Sequence, residues 1–243
     1  MARLMLINAS MFSAPVKACS ECPLRSSGRC PFVMRKVEAG TTLWSQGDIP
    51  QQVAFVREGL LSMQASGVNG TEVISAVRGA RAMVGFEGLR SQPARASVET
   101  LVETELCVGD ARDVRAWAGL DPATSDNRSP IPIASPLLNL ALEELDRAAL
   151  DLDLRSGPAV SRLARFLLAS ANLIASGRQA PFSKQHVAHL LGIRPETLSR
   201  CFKALQVAGC IESGRTIRLV DQVKLKAVAE GLELKEAHAT TAD

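Results

Sequence analysis

Hydrophobic spacing divides the chain into two halves. In residues 36–120, glycines recur at turn-like intervals, at Gly40, Gly47, Gly59, Gly67, Gly70, Gly79, Gly85 and Gly88. Between them lie strand-like stretches such as Val53-Ala54-Phe55-Val56 and Glu72-Val73-Ile74-Ser75-Ala76-Val77, and residues 101–106 read as another. Short strands punctuated by glycine predict a β-sandwich or barrel. Residues 121–136 hold Pro122, Pro130, Pro132 and Pro136 among Ser, Asp and Asn, which predicts a linker. After Leu137 the spacing becomes helical until a short strand pair near the end. No internal repeat is visible.

The helix after the linker has the spacing of a dimer seam. Leu138, Leu142, Leu145, Ala149 and Leu152 follow one another at intervals of 4, 3, 4 and 3, the period of a coiled coil. The run is short, so a helix facing its own core has the same pattern. Glu143, Glu144, Asp146, Asp151 and Asp153 outnumber Arg147 and Arg155. Like charges meeting near a parallel seam would weaken it. A weak dimer can be tipped by a small added free energy.

Further on, the pattern is that of two crossed helices. Ser183 is a good N-cap for a helix through Leu191, and Gly192 breaks it. Pro195 then stands at a natural first helical position, and Gly209 ends the second helix after Ala208. Val187, Leu190, Leu191, Ile193, Leu198, Phe202 and Leu205 form the apolar set that locks the pair. This is a helix-turn-helix pattern. Residues 210–219 read as strand, Ser213-Gly214 turn and strand, which is a wing. The outer face of the second helix carries Glu196, Thr197, Ser199, Arg200 and Lys203. Arg200 can donate two bonds to guanine, and Glu196 can accept from a cytosine amino group. Lys203, Lys184 and Arg215 suit phosphates.

Charge supports that assignment. The whole chain of 243 residues carries only +3. Residues 158–220 alone hold 9 Lys/Arg against 2 Asp/Glu, whereas residues 1–157 are slightly acidic, with 16 against 18. A basic module joined to a near-neutral one suggests a nucleic-acid reader attached to something else. Hydrophobic residues make up 47% and charged residues 22%, enough to build a core. No apolar run reaches the roughly 20 residues of a membrane helix, and Leu4-Met5-Leu6-Ile7 is too short for a signal-peptide core. The expectation is a soluble cytoplasmic protein. No nucleophile–base pair or phosphate-binding glycine loop stands out, so no enzyme is expected.

Six cysteines are too few for a disulfide scaffold. Cys19, Cys22 and Cys30 form one group, two of them three residues apart and the third eight further on. Thiolates are soft donors that favour zinc or an iron–sulfur cluster, and spacing leaves both open. A fourth ligand would come from Cys107, His186, His189, Cys201 or Cys210. Cys107 is the best choice because it lies in the same half. Cys201 and Cys210 sit where packing residues are expected, and His238 lies in a polar tail.

With these residues assigned, the chain resembles the FNR branch of the CRP-like bacterial transcription regulators over roughly residues 17–230. Val37-Glu38-Ala39-Gly40-Thr41-Thr42-Leu43-Trp44-Ser45-Gln46-Gly47-Asp48 is similar to the family's extended strand ending in Gly-Asp. Val84-Gly85-Phe86-Glu87 is similar to the branch's Val-Gly-Phe-Asp, and Glu196-x-x-Ser199-Arg200 to its reading motif. The resemblance implies an α+β chain with a cysteine-containing segment at 1–35 and a β-roll sensor domain at 36–120, of jelly-roll, cyclic-nucleotide-binding-like form. A linker at 121–136 leads to a dimerisation helix at 137–156, a winged helix-turn-helix DNA-binding domain at 157–230 and a flexible tail at 231–243. It also implies that Cys19, Cys22, Cys30 and Cys107 hold a 4Fe–4S cluster. The implied partners are double-stranded DNA with a palindrome resembling TTGAT-N4-ATCAA, a second copy of the chain, and RNA polymerase. Attack of oxygen or nitric oxide on the cluster would lower dimerisation and DNA affinity.

Three features depart from the pattern. Only about six residues separate Cys30 from the opening strand, where FNR-like chains usually carry a helix. Position 194 is Arg rather than a small polar N-cap. The region where CRP binds cyclic AMP reads Gly85-Phe86-Glu87-Gly88, and Arg95-Ala96-Ser97 interrupts the Arg-Ser pair that would fork a phosphate. The rival readings are a constitutive or cyclic-nucleotide-responsive regulator with a structural zinc or thiol site, and an iron–sulfur electron carrier.

Overall fold

A computed structural model describes residues 15–25, 30–66, 72–120, 134–171, 183–213 and 217–231. They fall into two compact units, Ser13–Ala149 and Leu150–Asp243. Arg215, the wing turn, residues 121–133 of the expected linker, and the tail with His238 lie outside the described residues.

The first unit is built from two four-stranded antiparallel sheets. One holds β1 (Val33–Val37), β8 (Thr104–Asp110), β3 (Gln52–Glu58) and β6 (Met83–Val84), in that order. The other holds β2 (Thr42–Trp44), β7 (Ser97–Thr100), β4 (Leu61–Ser66) and β5 (Glu72–Arg78). This is the expected β-roll. Side chains alternate between faces along a strand. Ala54 and Val56 of β3 therefore pack with Leu61, Val84, Val98 and Leu106 in one core, while Val53 and Phe55 pack into another on the opposite face. That is why Val53-Ala54-Phe55-Val56 is apolar without alternation: the strand is covered on both faces.

The second core reaches beyond the two sheets. It joins Val53, Phe55 and Met83 to Val16 and Leu24 of the cysteine segment, to α2 (Ala111–Trp117), and to Leu137 and Leu140 of the long helix α3 (Ala134–Leu154). Phe32 stands edge-on to Trp117, with ring centroids 6.1 Å apart. The segment before the barrel is thus part of the same packed body as the start of α3.

Two element expectations need correcting. Residues 101–106 are not one strand. Leu101, Val102 and Glu103 turn between β7 and β8, where the Thr104 hydroxyl donates to the Val102 carbonyl at 2.8 Å. Cys107 therefore lies inside a strand rather than after one. The long helix begins at Ala134, not 137, so Pro136 sits in its first turn. A missing N–H costs nothing there, because the first turn has no intrahelical acceptors for its amides.

The acids on α3 also behave differently from expectation. Glu144 accepts from Arg78 Nε at 2.7 Å and from Arg147, which also bonds Glu143 at 3.1 Å and the Arg81 carbonyl at 3.3 Å. Arg78 and Glu144 are 7% and 15% exposed. Glu144 is thus neutralised against its own β-roll, while Glu143, 45% exposed, pairs with Arg147 on its own helix. Breaking a buried pair leaves charges uncompensated. Glu144→Ala is expected to cost about 3 kcal/mol, read as a lower urea midpoint at unchanged slope.

In the second unit, α4 (Ala159–Ala169), α5 (Lys184–Leu191), α6 (Pro195–Val207) and α7 (Gln222–Ala229) surround a small core with β9 (Ile211–Ser213) and β10 (Ile217–Leu219). Arg165 donates to the carbonyls of Asp153 and Ser156 at 2.6 and 2.8 Å, and to that of Ala229 at 2.9 Å. It ties the end of α3 to the last helix.

Candidate functional site

The first candidate site is a group of thiols on the outer face of the β1-β8-β3-β6 sheet. Cys107 stands opposite Met34 of β1 and Phe55 of β3. It faces the core that contains Val16 and Leu24, and both Cys107 and Cys22 pack against that core half-buried. Cys19 opens a short 3-10 turn, Cys19–Glu21, and Cys30 lies just ahead of β1; both are exposed.

Cys22 and Cys107 each have other thiols nearby. Burial pushes the Cys22 thiol above its ordinary range; a hydrogen bond from the Leu24 backbone opposes this, Cys30 and Cys19 add to it, and the Arg57 charge opposes it. Burial likewise pushes Cys107 up. There the Arg57 charge and a hydrogen bond from it pull down, while Cys22 and Cys19 push up. An all-sulfur donor set fits a soft-metal group such as an iron–sulfur cluster. Among the described residues, no three Cys, His, Asp or Glu side chains are already arranged as a metal site. Cys201 and Cys210 are 7% and 0% exposed in the second unit, where burial raises both thiols. They are packing residues, as the sequence suggested.

The second candidate site is the helix pair. The Ser183 hydroxyl caps α5 by accepting from the His186 amide at 3.1 Å. Gly192 ends it with φ at 62°, a left-handed turn where glycine carries no Cβ penalty. Arg194 precedes α6 without a side-chain cap. Leu198, Cys201 and Leu205 face inward. Glu196, Ser199, Arg200 and Lys203 are exposed, as is Lys184 on α5, and Thr197 is half-buried. The Ser199 hydroxyl donates to the Pro195 carbonyl at 3.0 Å. The wing strands pair as expected, Ile217 with Ser213 and Leu219 with Ile211.

The third is the surface of α3. Leu137 and Leu140 are buried, but Leu138, Leu142, Leu145 and Leu152 are 59%, 50%, 67% and 72% exposed, and Ala149 is exposed with them. The helix therefore buries one face in its own unit and leaves the 4-3-4-3 row uncovered.

Comparison with known proteins agrees with this architecture. Residues 34–118 match the cyclic nucleotide-binding domain family, and residues 161–228 match the Crp-like helix-turn-helix domain family. The chain belongs to the CRP/FNR family. Its relatives include the transcriptional activator protein FnrA of Stutzerimonas stutzeri, 28% identical over 205 residues, covering 81% of this chain and 80% of that one. The transcriptional activator protein Anr of Pseudomonas aeruginosa is 28% identical over 206 residues, with the same coverage. Among solved structures, FixK2 of Bradyrhizobium japonicum shares the fold with a TM-score of 0.66 at 21% identity, covering 80% of this chain and 96% of that one. TTHB099, a CRP-family regulator from Thermus thermophilus, does so with a TM-score of 0.62 at 17% identity, covering 84% and 100%. This CRP/FNR-family chain is a DNA-binding transcription regulator. No helix among its described residues is long and apolar enough to cross a membrane.

Sequence reasoning missed Arg57. It is 7% exposed, and its guanidinium lies beside Cys22 and Cys107. The available signal was its parity: it follows Val53 and Phe55 on the same face of an otherwise apolar strand.

Proposed function

We propose that this protein is a homodimeric transcription regulator whose dimerisation and DNA affinity depend on a 4Fe–4S cluster held by Cys19, Cys22, Cys30 and Cys107. The observation that carries the proposal is the shared core beneath the cysteine segment. Val16, Leu24, Cys22 and Cys107 pack in one body with Leu137 and Leu140, so what orders the cysteine segment also supports the start of the dimer helix. When bound, the cluster supplies iron–thiolate bonds that oxygen and nitric oxide can dismantle. Without it, the segment keeps contacts such as the Arg57 bonds to Val16 and Lys17, the 3-10 turn, and the apolar side chains of Val16 and Leu24.

On the DNA side, a dimer carries two α6 helices, one for each half of a palindrome. Glu196 and Arg200 read base edges, while Lys203 and Lys184 bind phosphate, and Arg215, outside the described residues, is assigned to phosphate as well. A palindrome resembling TTGAT-N4-ATCAA and contact with RNA polymerase belong to the same proposal, as does a cytoplasmic location. Glu196→Ala is expected to relax base preference within the half-site. Lys203→Ala is expected to weaken all DNA binding alike and to lower its salt slope by about one. Titration of specific and random duplexes at several salt concentrations checks both. Equal losses on the two duplexes for both variants would remove Glu196 from the reading role.

The match of residues 34–118 to a cyclic nucleotide-binding domain favours a second reading, a nucleotide-responsive regulator. Its phosphate site would need Arg95 beside a free hydroxyl. Ala96 separates Arg95 from Ser97, whose hydroxyl oxygen accepts from the Gln46 amide at 2.9 Å and keeps its own proton to donate. The glycine turn is packed on its own chain: a Cβ at Gly88 would run into the Pro50 carbonyl, and one at Gly85 into that of Gln52. Visible absorbance of anaerobically purified protein tests the cluster. A brown protein is expected; a colourless one that holds zinc, or one that binds DNA only with added cyclic AMP, favours the rival.

A further inference from the structure

Arg57 is one of two buried arginines among the described residues, at 7% exposed. The other, Arg78, is paired with a carboxylate. Arg57 bonds differently. Its Nε donates to the Val16 carbonyl at 3.0 Å, one terminal nitrogen to the Lys17 carbonyl at 2.6 Å, and the other to the Met34 sulfur at 3.2 Å. Its own carbonyl accepts from the Val16 amide at 2.9 Å. The strand is bulged here: Val56 pairs with Leu106 and Glu58 with Glu105, so Arg57 falls outside the β3–β8 pairing register. A bulge re-aims a side chain and releases backbone groups from the ladder. Here it frees Arg57 to bond Val16 through both backbone and side chain.

A buried charge is costly unless it is compensated. Among the described residues, the neighbours of this guanidinium include carbonyls, a thioether and the thiols of Cys22 and Cys107. The thiols, once ionised and bound to a metal group, can carry the balancing negative charge.

We infer that Arg57 is a positioning residue for the four-thiol site: its guanidinium seats residues 16 and 17 on β3, so that Cys19 and Cys22 come beside Cys107, and its charge balances the thiolates there. The charge-balancing half rests on the cluster reading proposed above. The seating half does not, and it is testable in the metal-free protein.

The test uses the full chain with Arg57→Gln and Arg57→Lys. In the metal-free protein, amide hydrogen exchange at Val16, Glu21, Cys22 and Arg25 is expected to quicken about tenfold or more in both variants, because two hydrogen bonds from a charged donor are lost. Amides of Val53 to Val56 should be unaffected. Anaerobic reconstitution with ferrous iron and sulfide is then expected to load Arg57→Gln to less than half the wild-type iron, with Arg57→Lys in between because it keeps the charge. Unchanged exchange at the four segment amides in both variants would overturn the seating role. Wild-type iron content in Arg57→Gln would overturn the charge-balancing role. Protection lost throughout the β-roll in both variants would make Arg57 a core residue and overturn the inference. A wild-type protein that takes up no iron would sink the cluster reading while leaving the exchange result to judge the seating.

Discussion

Cys107→Ser is expected to strip the protein of its iron, from about four per chain to near zero, and to leave it mostly monomeric. Serine is a poor substitute because its hydroxyl is a hard donor that stays protonated, whereas the site is all sulfur. Cys107 is also the one thiol of the four that sits within a sheet strand, so no movement of the segment can replace it. Cys19→Ser, Cys22→Ser and Cys30→Ser should act in the same direction. A group that favours the dimer by a few kcal/mol shifts the population about tenfold for each 1.4 kcal/mol. DNA affinity for the palindrome should therefore fall by roughly one to two decades. Cys201→Ser and Cys210→Ser serve as controls. They place a hydroxyl in an apolar core and should cost about 1–3 kcal/mol of stability without changing iron content. Iron analysis, sedimentation and DNA titration of the six variants read all of this. Loss of iron in the two controls would show the ligand set to be wrong.

Leu145→Glu combined with Leu152→Glu is expected to abolish the dimer while leaving the monomer folded. These side chains are 67% and 72% exposed in the single chain, so their replacement removes little from its own core. In a dimer they would be buried on both partners. Burial of a leucine contributes about 1.5–3 kcal/mol, and four are lost together, with like charges brought to the seam in their place. Sedimentation at micromolar concentration should give a monomer, and affinity for the palindrome should fall by more than about a hundredfold, because only half-site binding remains. Circular dichroism should be unchanged. A double variant that stays dimeric would move the seam to another face of α3.

In the second unit the helix pair was legible in the sequence because its signals are local, whereas α7, after the wing, was not anticipated. Ser183, Gly192 and Pro195 mark helix ends through the bonds and dihedral angles those positions require, and all three lie close together in the chain. The exposed 4-3-4-3 row on α3 was equally readable, since periodicity needs no knowledge of the partner. What failed was whatever depended on distant chain. The pairing of Glu144 with Arg78 joins residues 66 apart in sequence, so charge counting along the helix could not find that acid's partner. The three residues after β7 include apolar and β-branched side chains, and only the Thr104 hydroxyl and the two-sheet topology turn them into a corner. Arg57 merely follows the apolar run 53–56 in sequence. It becomes an anchor only because Val16, 41 residues earlier, folds back onto it. The cysteine set rests on residue type and spacing, and the structure adds what lies beneath Cys22 and Cys107.

If the state of the four-thiol site sets DNA affinity, one preparation is enough to see it. A single palindromic duplex is titrated with the same anaerobic protein before and after exposure to air, with absorbance recorded on each sample. The expected result is a brown protein that bleaches and loses affinity by about tenfold or more as its dimer fraction falls. Air-treated protein that has lost its colour yet binds the palindrome as tightly as before would contradict the proposed switch.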